Sequence, residues 1–183
     1  MPYLDERGII PMSVLNIVPF GESILRKKAK QVDVITPKII KLLDDMAETL
    51  YATEGRAGLA APQVGIIRRI AVLDCGEGLI ELINPVIVQA SGEQEGAEGC
   101  LSYPGYHGYV KRANQVKITT LNRQGETIEL EGTGLLARCI QHEMDHLDGV
   151  LFVDHVQEPW LYDDQTQRKI NIFDVVKLTN KGL

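Results

Sequence analysis

The chain has 183 residues, 44% hydrophobic and 24% charged, a balance that suits one globular domain with a substantial core and argues against disordered or fibrous classes. Nineteen Lys and Arg against 25 Asp and Glu leave a net charge of −6, which argues against a broad basic surface for nucleic acid. Three cysteines are too few, and odd in number, for a disulfide framework, so Cys75, Cys100 and Cys139 read as single thiols in a reducing compartment.

The first residues carry Asp5 and Glu6 where an export signal would be basic, and Pro11, Asn16 and Pro19 interrupt the apolar stretch that follows. No run approaches the roughly 18 apolar residues that span a bilayer. A soluble cytoplasmic protein without membrane contact is expected. Residues 1–11 read as a loose extension, and Met12-Ser13-Val14 opens the first strand pattern. Thr36 and Pro37 then suit an N-cap and a first helical position, and Ile39, Leu43, Met46 and Leu50 form one apolar stripe that ends by Gly55. The middle of the chain reads as strands over residues 70–73, 79–83 and 86–88. Two more, at 116–119 and 127–130, flank Asn122-Arg123-Gln124-Gly125, a hairpin turn. A second helix is predicted from Thr133 through Leu136, Ile140 and Leu147 to Gly149. Residues 157–183 read as a variable tail, polar and then apolar from Ile170, with a period that fits helix or strand. Without repeats or a linker, the expectation is a single α+β domain, its antiparallel or mixed sheets packed around the second helix.

That helix carries His142-Glu143-Met144-Asp145-His146. Four residues advance a helix by about 400°, so both imidazoles leave one face a turn apart and can hold one metal ion. Glu143 sits beside that face, where a carboxylate can take a proton from water acidified by the metal. A catalytic ion needs a third protein ligand and an open position. His107, His155, Cys75, Cys100 and Cys139 are the soft candidates. Cys139 and Cys75 read better as packed thiols, whereas Cys100 lies among Gly and Pro with no apolar run to explain it. A thiolate with two imidazoles favours Zn, Fe(II), Co or Ni over Mg or Ca. Gly58-Leu59-Ala60-Ala61-Pro62-Gln63 is a small-residue turn that lets backbone approach a ligand, with Gln63 offering an amide donor.

These three segments, Gly58 to Gln63, Glu98-Gly99-Cys100-Leu101-Ser102 and Gln141 to His146, resemble in order the three motifs of the peptide deformylases, and the likeness extends over residues 14–156. The spacing after Cys100 is similar to the compact bacterial class. The resemblance implies hydrolysis of the N-formyl group from the initiator methionine of nascent polypeptides, with formate released. It implies Cys100, His142 and His146 as metal ligands, Glu143 as general base and then acid, and Gln63 and the Leu101 N–H as oxyanion donors. It also implies peptide docking as an added strand near Ala57, Gly58 and Gly99, and a methionine pocket at Leu135, Arg138, Cys139 and the His142 ring. Fe(II) is the ion the family usually holds, with Zn, Ni or Co able to replace it. The implied partners are formyl-methionyl nascent peptides and a transient ribosome contact, with no direct nucleic-acid recognition. Three positions depart from the family pattern: Arg56 stands in place of a common Gly, His107 in place of a frequent Arg, and Ala57 in place of a larger apolar residue. The rival readings are a metallopeptidase drawing its third ligand from His155 or Glu158, and a binding domain with a structural metal.

Overall fold

The computed structural model describes residues 13–174. Two antiparallel sheets and two long helices make up the fold. Strands β1 (Gly58–Ala60), β2 (Ile70–Leu73), β3 (Ile80–Ser91), β6 (Gln115–Leu121) and β7 (Thr127–Thr133) form one sheet in the order β1-β2-β3-β6-β7. Strands β4 (Gln94–Cys100), β5 (Tyr103–Arg112), β8 (Trp160–Asp163) and β9 (Lys169–Asn171) form the other in chain order. Helix α1 (Pro37–Tyr51) and helix α2 (Gly134–Asp148) cover opposite faces of the first sheet.

The reason is visible in β2, whose four residues are apolar and fully buried. Ile70 and Val72 pack with Leu43, Met46 and Leu50 of α1, while Ala71 and Leu73 pack with Ala137, Ile140, Met144 and Leu147 of α2. Alternate side chains leave opposite faces of a strand, so a strand covered on both sides must be apolar throughout. The predicted stripe of α1 is thus its buried face, and each of those large side chains contributes about 2 kcal/mol by leaving water. Strand β6 shows the half-buried alternative: Val116, Ile118 and Thr120 are buried and their neighbours are not. Helix α2 stops at Gly149, which adopts φ 75° and returns its N–H to the His146 carbonyl. A Cβ there would collide with the backbone of Arg26, so only glycine fits.

Several expectations change. The strand pattern opened by Met12-Ser13-Val14 forms no strand; Met12 lies outside the described residues, and 13–19 run beside α1. Their N–H groups are satisfied elsewhere: Ser13 donates to Asp45 Oδ1 (3.0 Å), Leu15 to Thr49 Oγ1 (2.8 Å) and Val18 to the Gln63 carbonyl (2.7 Å). The two strands read at 79–83 and 86–88 are one, β3, with a register shift at Asn84-Pro85, where Pro85 has no N–H to give and Asn84 takes φ 52°. Thr36 is the N-cap of α1 but makes no side-chain cap bond, and the helix ends at Tyr51, ahead of Gly55. Of the tail, 157–174 contain β8 and β9; residues 1–11 and 175–183 lie outside the described residues, as does the rest of its apolar run.

Candidate metal and catalytic site

Helix α2 presents His142 and His146 one turn apart, their rings 5.0 Å between centroids. Strand β4 approaches that face from the second sheet. Glu98 and Cys100, two residues apart, both reach α2 there. Cys100 Sγ lies 3.3 Å from His146 Nε2, and ligand atoms of Cys100, His142 and His146 all fall within 4.8 Å of one another. Among the described residues this is the group of donors that could hold a metal ion. Tetrahedral bonds of about 2.3 Å to sulfur and 2.05 Å to nitrogen hold such donors roughly 3.5 Å apart, so one thiolate and two imidazoles fit an ion here.

Charge around the cluster is organised by Glu98. His142 Nδ1 is 3.0 Å from its Oε2, Arg112 contacts it through Nε and Nη2 at 2.9 and 3.0 Å, and Arg138 Nη1 lies 2.7 Å from Oε1. Burial would raise the Glu98 pKa, but the bonds from His142 and Arg112 outweigh it and hold it down at about 2. The anion fixes the His142 ring through Nδ1 and leaves Nε2 for the cluster. Burial would lower His142 as well, yet Cys100 and Glu98 push it up to about 10. Burial drives His146 well below its ordinary value. Glu143 is 3% exposed, and burial pushes its pKa up to about 7. Its Oε2 is buried without a hydrogen-bond partner. A Cβ on Gly58 would overlap the Glu143 carboxylate, so glycine at 58 is what lets β1 pass this close.

A cavity of about 330 Å³ opens over this face. Gln63, Leu101, Ala57, Gly58, Gly99, Leu135, Arg138, Cys139, Cys100, His142 and Glu143, all singled out from sequence, line it, while His146 sits beneath at 1% exposure. Gln63 is locked in place: Oε1 accepts the Ala60 N–H at 2.8 Å, and Nε2 points at Cys100 Sγ (3.3 Å) and Ser102 Oγ (3.4 Å). The Arg138 guanidinium turns away toward Glu98 and the Val110 carbonyl. Cys139 donates to the Ala57 carbonyl (3.3 Å) and the half-buried Cys75 packs in the same apolar cluster, so both thiols lie outside the metal-binding group. His155 Nε2 bonds Asp145 (2.9 Å) and His107 Nδ1 bonds Asp164 (2.6 Å), so neither ring joins it.

Three working residues went without a role in the sequence reading: Glu98, Arg112 and Asp145, which accepts from Arg112 Nη1 at 2.5 Å. The signal for Glu98 was present, an acid two residues before Cys100 and hence on its side of a strand. Arg112 lies fourteen residues further on and is brought back only by the β4–β5 pairing.

The family model described as polypeptide deformylase matches residues 14–160. A peptide deformylase of Desulfitobacterium hafniense is 56% identical over 147 residues, covering 80% of this chain and 97% of the relative. Among solved structures, a peptide deformylase of Legionella pneumophila is similar at TM-score 0.76 and 42% identity, covering 79% of this chain and 87% of that one. A class I type b peptide deformylase of Acinetobacter baumannii, bound to Met-Ala-Ser, is similar at TM-score 0.75 and 34% identity, covering 80% and 100%.

Proposed function

The chain belongs to the polypeptide deformylase family, metal-dependent hydrolases that remove the N-formyl group from nascent polypeptides, and we propose that here Cys100, His142 and His146 hold the metal while Glu143 carries the proton. The observation that carries this reading is the convergence of one sulfur and two ring nitrogens beside a buried, unpartnered carboxylate. A divalent ion, when bound there, supplies Lewis acidity and lowers the pKa of water. By family likeness we take Fe(II) as the resident ion, with Zn, Ni or Co suited to the same donors.

The protein's own part follows from position. Glu143, with a pKa of about 7, takes a proton as water adds to the formyl carbon, then gives it to the departing amine nitrogen as the C–N bond breaks and formate leaves. Charge gathers meanwhile on the formyl oxygen, where Gln63 Nε2 and the Leu101 N–H donate; fixed donors of this kind contribute roughly 3–4 kcal/mol each. Glu98 keeps His142 in register throughout. The methionine side chain fills the space among Leu135, the stem of Arg138, Cys139 and the His142 ring. The peptide backbone runs along Ala57, Gly58 and Gly99. Strands β1 and β4 are end strands of their sheets, so each offers an unpaired edge to the cleft. Met-Ala-Ser, bound by the Acinetobacter baumannii relative, is what such a reaction would leave from formyl-Met-Ala-Ser, which supports a peptide substrate beginning with methionine.

Anaerobically purified protein with one metal per chain is expected to release formate from formyl-Met-Ala-Ser and to leave an unblocked peptide intact. Cleavage of the unblocked peptide without formate release would instead support a metallopeptidase. The same reading implies a cytoplasmic enzyme that meets formyl-methionyl chains by transient ribosome contact, without nucleic-acid recognition, which cosedimentation with translating ribosomes tests. No helix among the described residues is long and apolar enough to cross a membrane.

A further inference from the structure

The match to the family model ends at residue 160, where β8 begins. The β8–β9 hairpin nevertheless returns to the cleft, because Asp164 in its turn lines the same cavity as Gly99 and Tyr106. The placement of Asp164 is fixed from two sides. Its N–H donates to the Gly105 carbonyl at 2.9 Å, and its Oδ1 lies 2.6 Å from His107 Nδ1. His107 is itself held, stacked on Tyr162 at 5.4 Å with the rings 13° from parallel. Residues of β5 and β8 thus aim a half-exposed carboxylate at the mouth of the site.

We infer that Asp164 is a specificity-determining residue of the deformylation reaction, drawing a cationic side chain on the residues that follow formyl-methionine. This rests on the function proposed above. A peptide with its methionine in the pocket and its backbone along Gly58 and Gly99 carries its next side chains across this mouth. The His107 ring meets the Asp164 carboxylate at Oδ1 and holds its orientation. The other oxygen keeps its lone pairs for a ligand. Arg56 also lines the cavity, its Nη1 tied to the Thr49 carbonyl at 2.6 Å. A lysine reaching Asp164 meets attraction where a glutamate meets repulsion.

The test compares kcat/KM for formyl-Met-Ala-Lys and formyl-Met-Ala-Glu, using the full-length, metal-loaded protein. The lysine peptide is expected to win by about two- to fivefold at low ionic strength, the size of a partly exposed ion pair, and by less at about 0.5 M salt. Asp164→Asn brings the ratio close to one, and Asp164→Lys inverts it. Equal rates in the native protein overturn the inference. So does a ratio that survives Asp164→Asn, including an equal fall on both peptides. Calorimetric binding of Met-Ala-Lys and Met-Ala-Glu reads the same ratio without turnover. A binding ratio that depends on Asp164 in a protein releasing no formate would overturn the deformylase reading and its specificity role, and leave Asp164 only as a charge-selective peptide contact.

Discussion

The two sheets are built on different rules. The β1-β2-β3-β6-β7 sheet is an ordinary core, with Leu73, Leu82, Ile83 and Ile118 fully buried between α1 and α2. The β4-β5-β8-β9 sheet is short of aliphatic residues where it meets α2, and uses Glu98, Arg112, Arg138 and Asp145 instead. A buried charged network adds little net stability over an apolar core of the same volume, because desolvation offsets its attraction. It fixes positions, however, and a metal site needs ligands held within fractions of an ångström. The second sheet has an apolar cluster of its own around Tyr103, Val110 and Leu161, and adds to it the charged network that positions the site.

Substitutions should separate these roles. Glu143→Ala is expected to cut formate release by about a thousandfold or more while one metal per chain is retained, read by steady-state kinetics beside metal analysis. Turnover close to that of the native protein would remove Glu143 from the chemistry. In the first sheet, Ile118→Ala should cost about 3 kcal/mol in urea unfolding with turnover per folded molecule unchanged. A selective loss of turnover there would blur the division between the sheets. Glu98→Gln should do the reverse, weakening metal retention about 10- to 100-fold in chelator competition at a smaller cost in folding.

The smallest effect concerns the ion pair between Arg26 and Asp154, partly exposed on both sides. Burial acts to raise the Asp154 pKa, but Arg26 and the Leu151 N–H outweigh it and leave it lowered. A carboxylate depressed on folding stabilises fully above its unfolded value near pH 4, and the contribution is lost as acid protonates it. Asp154→Asn should therefore cost about 1 kcal/mol at pH 7, discounted for solvent, and almost nothing near pH 3. A cost independent of pH would show that the carboxylate charge is not what matters.

The same division explains what could be read from sequence. Strands β2, β3, β6 and β7 announce themselves by apolar runs or alternation, and α1 and α2 by stripes and end residues. Nothing comparable marks β4, β5, β8 or β9: Gln-Glu-Gly-Ala-Glu-Gly-Cys has no apolar period, since its side chains pair with charges instead of packing. The spacing of His142 and His146 was legible because one helix carries both. Cys100 was legible as a thiol out of place, and its identity as the third member of the cluster came from family likeness. The link from Glu98 to Arg112 was not, because it depends on strand pairing. Asp164 was invisible for the same reason, brought to the cleft by a hairpin whose period fitted helix or strand.

Residues 13–20, which follow the strand pattern opened at Met12-Ser13-Val14, run instead from Asp45 and Thr49 of α1 to the segments of Gln63 and Ser102. Val18 donates to the Gln63 carbonyl and Phe20 to the Ser102 carbonyl, both at 2.7 Å. The segment works as a buckle, joining the loop that bears the amide donor to the loop that bears the thiol. Trimming it would slacken both segments together and strip Leu15, Ile17, Val18 and Phe20 from the clusters they pack against, so a clipped protein should lose both stability and its grip on the formylated peptide.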